Sequence, residues 1–346
     1  MTSFAGSIGI IGIALILSIS TGVNAYISSI EKETLSEYPL SIQSTGIDMS
    51  AMMGEPTKKN NSEVKVIDMM ENMFSKIGSN DLKSLKSYIE EHKEINQYAR
   101  AVEYDYGISP QIYTNDKYGI RQVNPDATMK KLGMGTSTNS MMSSMMNTNV
   151  FYSLPSHASL YDDQYDVKAG HWPKNKNECV LVLSKKGGIS DFMLYTLGLR
   201  DPAQLDQMLE AFSEEKSVKV TTGKQGYRYK DLLGITFKVV NATSYYQYDD
   251  TYKVYKDKSN DTNYIHSLVQ NGNDLKIVGV VQPKESTNAA MLTMGIYYPN
   301  TLVTSTIQEA GNSEIVKAQL ENKNINVITG QSFNDQSQKS NQYHPQ

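Results

Sequence analysis

Apolar residues are concentrated at the start of the chain, in the stretch Phe4–Val23. The first charged side chain is Glu31, and Ile8–Leu17 contains only Ile, Leu, Ala and Gly. A helix of this length spans roughly 30 Å, which matches the hydrocarbon core of a bilayer. We therefore predict a transmembrane helix over residues 1–28. The alternative is a cleaved secretory signal ending at Val23-Asn24-Ala25, against which the uncharged first three residues argue.

Small residues recur along this stretch at the spacing of a helix face, as in Ala14, Ser18 and Gly22. Such residues let membrane helices approach closely, although glycine is also common in membrane helices without that role. The candidate membrane-helix packing residues are Gly6, Gly9, Gly12, Ala14, Ser18 and Gly22.

Beyond the apolar stretch, the hydrophobic pattern predicts a first group of elements. They are a strand at 40–45, a helix at 64–77, a helix through Leu82, Leu85, Ile89 and His92, and strands at 97–106 and 110–116. Ser79-Asn80-Asp81 is a good N-cap for the second helix. Lys117–Ser156 lacks periodicity, and we predict a mobile, Met-rich loop over 132–150.

From Asp162 the pattern changes and a second group of elements begins with a turn-rich stretch, Tyr165–Pro173. The predicted strands are 179–183, 235–240, 275–281, 296–298 and 325–328, and the predicted helices are 189–199, 201–212, 301–310 and 313–321. Asp201 is the expected cap of the second of these helices, with Pro202 at its first position. Residues after 330 are polar and predict a disordered tail, 331–346.

The amino-acid composition of the chain excludes some classes of function. The net charge is -4 and the mean hydropathy is -0.45, so no basic footprint for nucleic acid exists. The 23 Tyr against 7 Phe and one Trp suit a surface that works in water outside the cell. The single cysteine, Cys179, cannot form an internal disulfide, and its apolar neighbours predict a buried residue on a strand.

Methionine is abundant, and eight of the 17 Met lie in two clusters, Met49–Met53 and Met134–Met146. A copper-binding tract is one interpretation. A flexible apolar contact surface is the one we favour, because no His or Cys lies within the clusters. The candidate partner-binding residues are Met141, Met142, Met145 and Met146.

The residue types that carry chemistry are not grouped in catalytic or metal-binding spacing. The five histidines are scattered, and neither a nucleophile elbow nor a phosphate-binding loop is present. Two acidic sets, Asp162/Asp163/Asp166 and Asp249/Asp250, could offer oxygens to calcium, but solvated acidic turns explain them better. We predict no enzyme activity, no catalytic residues, no metal and no cofactor.

Several phrases of the sequence resemble one family. Thr2–Leu17 resembles the first transmembrane helix of MacB/FtsX-type ABC transporter permeases of Gram-positive anaerobes, and Thr34–Leu40 resembles the entry into their extracellular region. Gln164–Glu178 is similar to the family's "YDVLAGRWP" stretch, from which Lys168 and His171 depart. The later strands are matched by Lys276–Pro283 and Ile296–Tyr298.

The resemblance implies an α+β fold: one N-terminal transmembrane helix, then a MacB-like extracellular domain in which a mixed α/β subdomain is inserted in a porter-like α/β subdomain. Residues 29–160 would form the first part of the porter-like subdomain, and 161–330 the second subdomain with its return strand. The chain would be a single-pass protein of the cell membrane with its bulk outside the cell.

The same resemblance implies partners and a role. The partners would be an ABC ATPase, which alone would bind ATP, a second permease copy, membrane lipid, and a peptide, lipoprotein or cell-wall component. The chain would transmit motion for export or for resistance to antimicrobial peptides. Because no ATPase and no further apolar helices follow in this sequence, we expect a fragment of such a permease. A membrane-anchored or secreted binding protein is the alternative.

Overall fold

A computed structural model describes residues 78–126, 149–214 and 226–334, with shorter pieces at 15, 17–24, 26–27, 40–46, 216 and 223–224. The chain divides into two compact units, Met1–Val102 and Glu103–Gln346. The predicted helix at 64–77 lies outside the described residues.

In the first unit, residues 17–24 are helical. No helix among the described residues is both long enough and apolar enough to cross a bilayer. Strands β1 (Thr45–Gly46) and β2 (Gly78–Ser79) pair antiparallel, so the strand predicted at 40–45 is wrong except at its last residue. Helix α1 (Leu82–Glu91) begins at the predicted cap, where the Asp81 carboxylate accepts the Ser84 amide at 3.0 Å.

The second unit is built on one eight-stranded sheet. Its strands are β3 (Gln111–Asp116), β4 (Gly119–Asn124), β5 (Phe151–Ser153), β6 (Tyr165–Gly170), β7 (Glu178–Val182), β8 (Thr236–Val240), β11 (Asn273–Pro283) and β12 (Gly295–Tyr298). Between β8 and β11, strands β9 (Tyr246–Asp249) and β10 (Val254–Asp257) form a separate antiparallel hairpin.

The strand order is β4-β3-β8-β11-β7-β12-β5. β11 is the longest strand, and along one edge it pairs first with β8 and then with β6, both antiparallel. Its other edge pairs in parallel with β7. The remaining pairings place β3, β7 and β11 in one direction and the other five strands in the opposite one.

Helices cover both faces of this sheet. They are α2 (Asp191–Thr196), α3 (Pro202–Ser213), α4 (Tyr229–Leu232), α5 (Thr262–Gln270), α6 (Asn300–Gly311) and α7 (Glu314–Glu321). The larger core joins Phe237, Ile277 and Cys179 of the strands to residues of α2 and α6. A smaller core on the opposite face packs Val269 of α5 against Tyr113 and Val240.

The alternating and apolar runs of the second unit predict most of its elements correctly. Cys179 is fully buried on β7 as expected, and this burial raises the pKa of its thiol. Three predictions are wrong. Residues 97–106 contain no strand, Tyr165–Pro173 begins with a six-residue strand rather than a turn, and 325–328 contributes only one bridge, Ile325 to Ser332.

The stretch Lys117–Ser156, for which we predicted little order, contains strands β4 and β5. The loop residues 127–148 between them lie outside the described part of the chain. The sheet contains strands from both sides of residue 160, the predicted limit between subdomains, since β3 pairs with β8 and β5 pairs with β12. A mixed α+β fold is therefore confirmed. Of the predicted tail, 331–334 continue a turn begun at Ile325, and 335–346 lie outside the described residues.

Strands β6 and β11 meet at two glycines. Gly170 lies opposite Gly279, and a Cβ on Gly170 would stand 1.9 Å from the Val278 carbonyl oxygen. A Cβ on Gly279 would stand 2.1 Å from the carbonyl oxygen of His171. The His171 amide donates to the Val278 carbonyl at 3.0 Å across this contact. Neither glycine has room for a side chain.

The start of β6 also fixes the loop between β11 and β12. The buried hydroxyl of Tyr165 accepts the Leu292 amide at 2.6 Å and donates to the Leu292 carbonyl at 2.8 Å. The buried Gln164 side chain accepts the Met291 amide at 2.9 Å. The two buried side chains thus supply hydrogen-bond partners to the backbone of this loop.

Candidate interaction surface

Most of the residues singled out in the sequence fall outside the described part of the chain. Ser18 and Gly22 lie on the helical residues 17–24, where both are exposed. No heavy atom lies within 4 Å of the point that a Cβ on Gly22 would occupy. The remaining ones, in residues not described, are Gly6, Gly9, Gly12, Ala14, Met141, Met142, Met145 and Met146.

Among the described residues, no group of three or more His, Cys, Asp or Glu side chains could hold a metal ion. His92 stacks on Tyr88, with 4.0 Å between ring centroids, and its Nδ1 lies 2.9 Å from the Tyr88 carbonyl oxygen. The Nδ1 of His171 lies 2.8 Å from the carbonyl oxygen of Trp172. Each ring is thus close to the carbonyl oxygen of a residue near it in sequence.

One constellation has the residue types of a serine–lysine dyad. The Lys176 ammonium donates to Ser305 Oγ at 2.7 Å and to Glu309 at 3.0 Å, and Ser305 donates to the same carboxylate. The three side chains bind one another, and the adjoining depression encloses only about 20 Å³. That is room for one water. The cluster therefore joins α6 to the start of β7 rather than forming a substrate site.

A second polar cluster ties the start of the unit to the segment after β5. Glu103 accepts the His157 ring Nδ1 at 2.7 Å and the Ser156 amide at 2.7 Å. Burial by itself would raise the pKa of the Glu103 carboxyl, but these hydrogen bonds outweigh it and lower the pKa. The cluster holds the segment after β5 against the start of the second unit.

The acidic set at Asp249 and Asp250 shapes a turn. Asp249 accepts the amides of Thr251 and Tyr252 at 2.8 and 3.0 Å and pairs with Lys256 at 2.5 Å. The Lys256 hydrogen bond is the main cause of the lowered pKa of Asp249. These contacts use the carboxylate within the β9–β10 hairpin, in agreement with the preferred interpretation of a solvated acidic turn.

The β9–β10 hairpin itself is rich in tyrosine. Tyr248 lies directly opposite Tyr255, with 5.1 Å between ring centroids, and Tyr248 remains 45% exposed. Tyr252 at the turn is 69% exposed, and the Lys256 ammonium lies 4.5 Å from its ring centroid. Exposed tyrosines combine apolar area with a hydroxyl, which is the usual composition of a contact surface.

A second hairpin, residues 324–333, lies beside the first. Ile325 bridges Ser332, and the Tyr255 amide of β10 donates to the Val327 carbonyl at 2.8 Å. Three apolar side chains of this second hairpin are exposed: Ile325, Ile328 and Phe333. We call Tyr248, Tyr252, Ile325, Ile328 and Phe333 together the hairpin surface.

The hairpin surface is electrically balanced. Residues 246–257 and 324–333 contain Asp249, Asp250 and Asp257 against Lys253 and Lys256, a difference of one negative charge. The two flanking lysines, Lys258 and Lys323, change this sum to one positive charge, so the local net charge stays within one unit of zero. Such a surface favours a partner recognised by apolar contact and hydrogen bonds rather than by charge.

The sequence reasoning missed this surface. Tyrosine alternates with polar residues in Tyr246–Asp249, and two strand-forming residues, Val254 and Tyr255, follow after a short polar stretch. This is the signal that could have found the hairpin. The turn between the strands has no Asn-Gly or Asp-Gly pair; Lys253, with φ of 54°, takes the left-handed position instead. This turn therefore lacks the dipeptide that most often identifies a hairpin in a sequence.

Comparisons with known proteins add no identification, because no protein-family model, curated protein or solved structure matches the chain.

Proposed function

We propose that the chain is the extracellular, motion-transmitting and partner-binding part of an ABC transporter permease, anchored by a transmembrane helix over residues 1–28. ATP would be bound by a separate ATPase. The other partners would be a second permease copy and a peptide, lipoprotein or cell-wall component, and the MacB-like, porter-like architecture is part of the same proposal.

The observation that carries the proposal is where the chain enters the sheet of the second unit. β3 begins at Gln111, opposite Val240 at the end of β8, so the chain arrives at this end of the sheet. The two hairpins lie at the same end, because β9 follows β8 closely and the second hairpin borders β10. A domain that receives motion through the preceding chain would receive it at this end, and its exposed hairpins would move with it.

A second observation supports the link to the family. Two of the phrases that carry the resemblance, Gln164–Glu178 and Lys276–Pro283, are about a hundred residues apart, yet they contain β6 and most of β11, which pair with each other. A contact in which each glycine has no room for a side chain demands a specific sequence on both strands. The resemblance therefore falls on positions under strong structural constraint.

The extracellular location is testable by cysteine labelling, because the only natural cysteine, Cys179, has no exposed area. A Ser259→Cys variant places a thiol on an exposed turn. We expect a membrane-impermeant maleimide to label this variant in intact cells, whereas the wild-type chain is labelled only after denaturation. Labelling of the variant only after lysis would contradict an extracellular domain.

A second candidate function is a membrane-anchored or secreted binding protein, and the exposed hairpin surface favours it. The two differ in their association with an ATPase. We expect the tagged full-length chain, purified from its native membranes in mild detergent, to bring down vanadate-sensitive ATP hydrolysis. Surface labelling without any associated ATPase would support the binding protein and exclude the permease.

A further inference from the structure

We infer that two copies of the second unit pair through strand β6, antiparallel, about a two-fold axis at Val167. The inference rests on the proposed function for the second copy as a partner. It adds the strand, the register and the charge pairs that join the two copies.

The edge of β6 that faces away from β11 is open. Among the described strands, β6 pairs with β11 alone. Asp166, Val167 and Lys168 are all exposed, and Val167 is 44% exposed although it is apolar. An open strand edge is a template on which a strand of another chain can pair.

The backbone groups of Val167 point out of this open edge. The Leu183 amide donates to the Val281 carbonyl at 2.8 Å, so the polar groups of Val281 face β7. Val281 lies opposite Val167. Because such a pair in an antiparallel ladder exchanges no hydrogen bonds, the N–H and C=O of Val167 also point away from β11. They can bind the same two groups of a second Val167 in one reciprocal pair of hydrogen bonds.

The charges beside Val167 make this pairing self-complementary. Asp166 and Lys168 lie one position on either side of the axis, and their side chains meet at 3.1 Å on one side of β6. Antiparallel pairing about Val167 therefore places the Asp166 of each copy opposite the Lys168 of the other. Opposite charges that face each other across two strands stabilise the pair, and like charges destabilise it. A parallel pairing in the same register would place each charge opposite its like.

A β-bulge keeps the contact short. Val167 pairs with Val281 and Ala169 with Val280, which leaves Lys168 as the extra residue of β6. Bulges and charged side chains discourage arbitrary strands from pairing with an edge. A contact of this length buries less than the total of about 1,200–2,000 Å² found in standard interfaces. We therefore expect a weak dimer, specific for this one register.

Disulfide formation between introduced cysteines tests the position of the axis. Val167→Cys brings two thiols together there, since hydrogen-bonded antiparallel residues have Cα atoms about 5.5 Å apart, within the reach of a disulfide. The native Cys179 has no exposed area. The matched control is Gln122→Cys, an exposed position on β4 at the edge of the same sheet. Full-length chains at high concentration in mild detergent are oxidised, and dimers are measured on a non-reducing gel.

We expect Val167→Cys chains to cross-link faster than Gln122→Cys chains. Adding Asp166→Lys or Lys168→Asp places like charges opposite each other and should slow the reaction about tenfold, or about 1.4 kcal/mol. Both charge substitutions in one chain should restore the rate, and so should a mixture of the two single variants. Cross-linking no faster than the control, or equal in all charge variants, would refute the inference.

Salt tests the same charge pairs without a charge substitution. Because the paired side chains are exposed, cross-linking of Val167→Cys should slow as the salt concentration rises. A rate that is independent of salt would contradict the pairing of Asp166 with Lys168. The fluorescence of Trp172, the only tryptophan, shows whether each variant is folded.

The ATPase measurement separates this inference from the proposed function. If the chain brings down ATP hydrolysis but Val167→Cys does not cross-link above the control, the permease stands and the β6 contact is wrong. If cross-linking shows the expected charge dependence without any associated ATPase, the β6 contact stands and the permease is wrong.

Discussion

The contact between Gly170 and β11 leaves no room for even one methyl group. Gly170 has a φ of 70°, and a Cβ there would stand 1.9 Å from the Val278 carbonyl oxygen and 3.1 Å from the Gly279 Cα. All of the atoms in the way are backbone atoms of the central strand. A Gly170→Ala substitution must therefore push β6 away from β11 or strain both strands.

The cost follows from three contributions. An L-residue in the left-handed region costs about 1–2 kcal/mol. Forcing an extra methyl into a packed site costs about 1–3 kcal/mol. Weakening the hydrogen bond from the His171 amide to Val278 costs up to about 1.5 kcal/mol. Alanine restricts the unfolded chain and returns about 0.4–1 kcal/mol. The ranges together allow a net loss of about 1–6 kcal/mol, and their midpoints give the loss we expect, about 3–4 kcal/mol.

Gly107→Ala is the matched control. Gly107 has nearly the same φ, 63°, but no heavy atom lies within 4 Å of its would-be Cβ. It keeps the backbone strain without the clash, and we expect a loss of about 1 kcal/mol.

Urea unfolding of the full-length chain in mild detergent measures both losses, followed by the fluorescence of the only tryptophan. Trp172 packs against Tyr161 and Tyr165 immediately after β6, with ring centroids 4.9 and 6.0 Å apart. We expect the midpoint of Gly170→Ala to fall by about 1–2 M urea. Equal losses for Gly170→Ala and Gly107→Ala would refute the close contact of β6 with β11.

Three further predictions follow from buried or paired groups. Tyr165→Phe removes both hydrogen bonds to Leu292 and should cost about 2–3 kcal/mol of unfolding free energy, whereas Tyr248→Phe on the exposed hairpin should cost almost nothing. Because the pKa of Glu103 is lowered in the folded state, its contribution is complete above the unfolded pKa and is lost as the pH falls through the folded one. Glu103→Gln should therefore flatten the acid limb of a stability–pH curve, and an unchanged limb would contradict the Glu103–His157 contact. The Cys179 thiol, fully buried and with a raised pKa, should react with maleimide only at the rate of unfolding; rapid reaction of the native chain would show that β7 is not central.

The strong patterns of the second unit predict its fold well. β11 is buried along most of its length, so its run of apolar residues identifies it as a strand even when its neighbours in the sheet are unknown. Pro202 and the cap of α1 mark helix starts through local chemistry alone. Such signals depend only on residues close in sequence, so they can be recognised without a structure.

The errors arise where distant contacts decide the conformation. Tyr165–Gly170 has exposed residues on both faces, and the turn residues Gly170 and Pro173 lie at or after its end. β11 nevertheless supplies its hydrogen bonds and makes it a strand. Tyr98 and Tyr106 alternate in phase like strand residues and remain exposed, because none of the described strands pairs with this segment. Periodicity reports what a segment could bury, not which partner is present.

The candidate site was the harder part to predict. The sequence patterns pointed to the methionine cluster and to the small residues of the apolar stretch. The roles of those residues stay predictions. The hairpin surface combines residues about 80 positions apart, Tyr248 and Ile328 among them, on two hairpins that the hydrogen bond from Tyr255 to Val327 joins. A hydrophobic pattern within one short stretch of sequence cannot show that two distant segments pair.

The central place of β11 has a consequence for synthesis of the chain. β6, β7 and β8 leave the ribosome before β11, yet each of them pairs with it. More than 110 residues, from Tyr165 onwards, must therefore wait with open strand edges until Pro283 has emerged. Unpaired edges invite pairing with other chains. The growing polypeptide is thus most exposed to misassembly in the interval before β11 is complete, and a factor that holds nascent chains would matter most there.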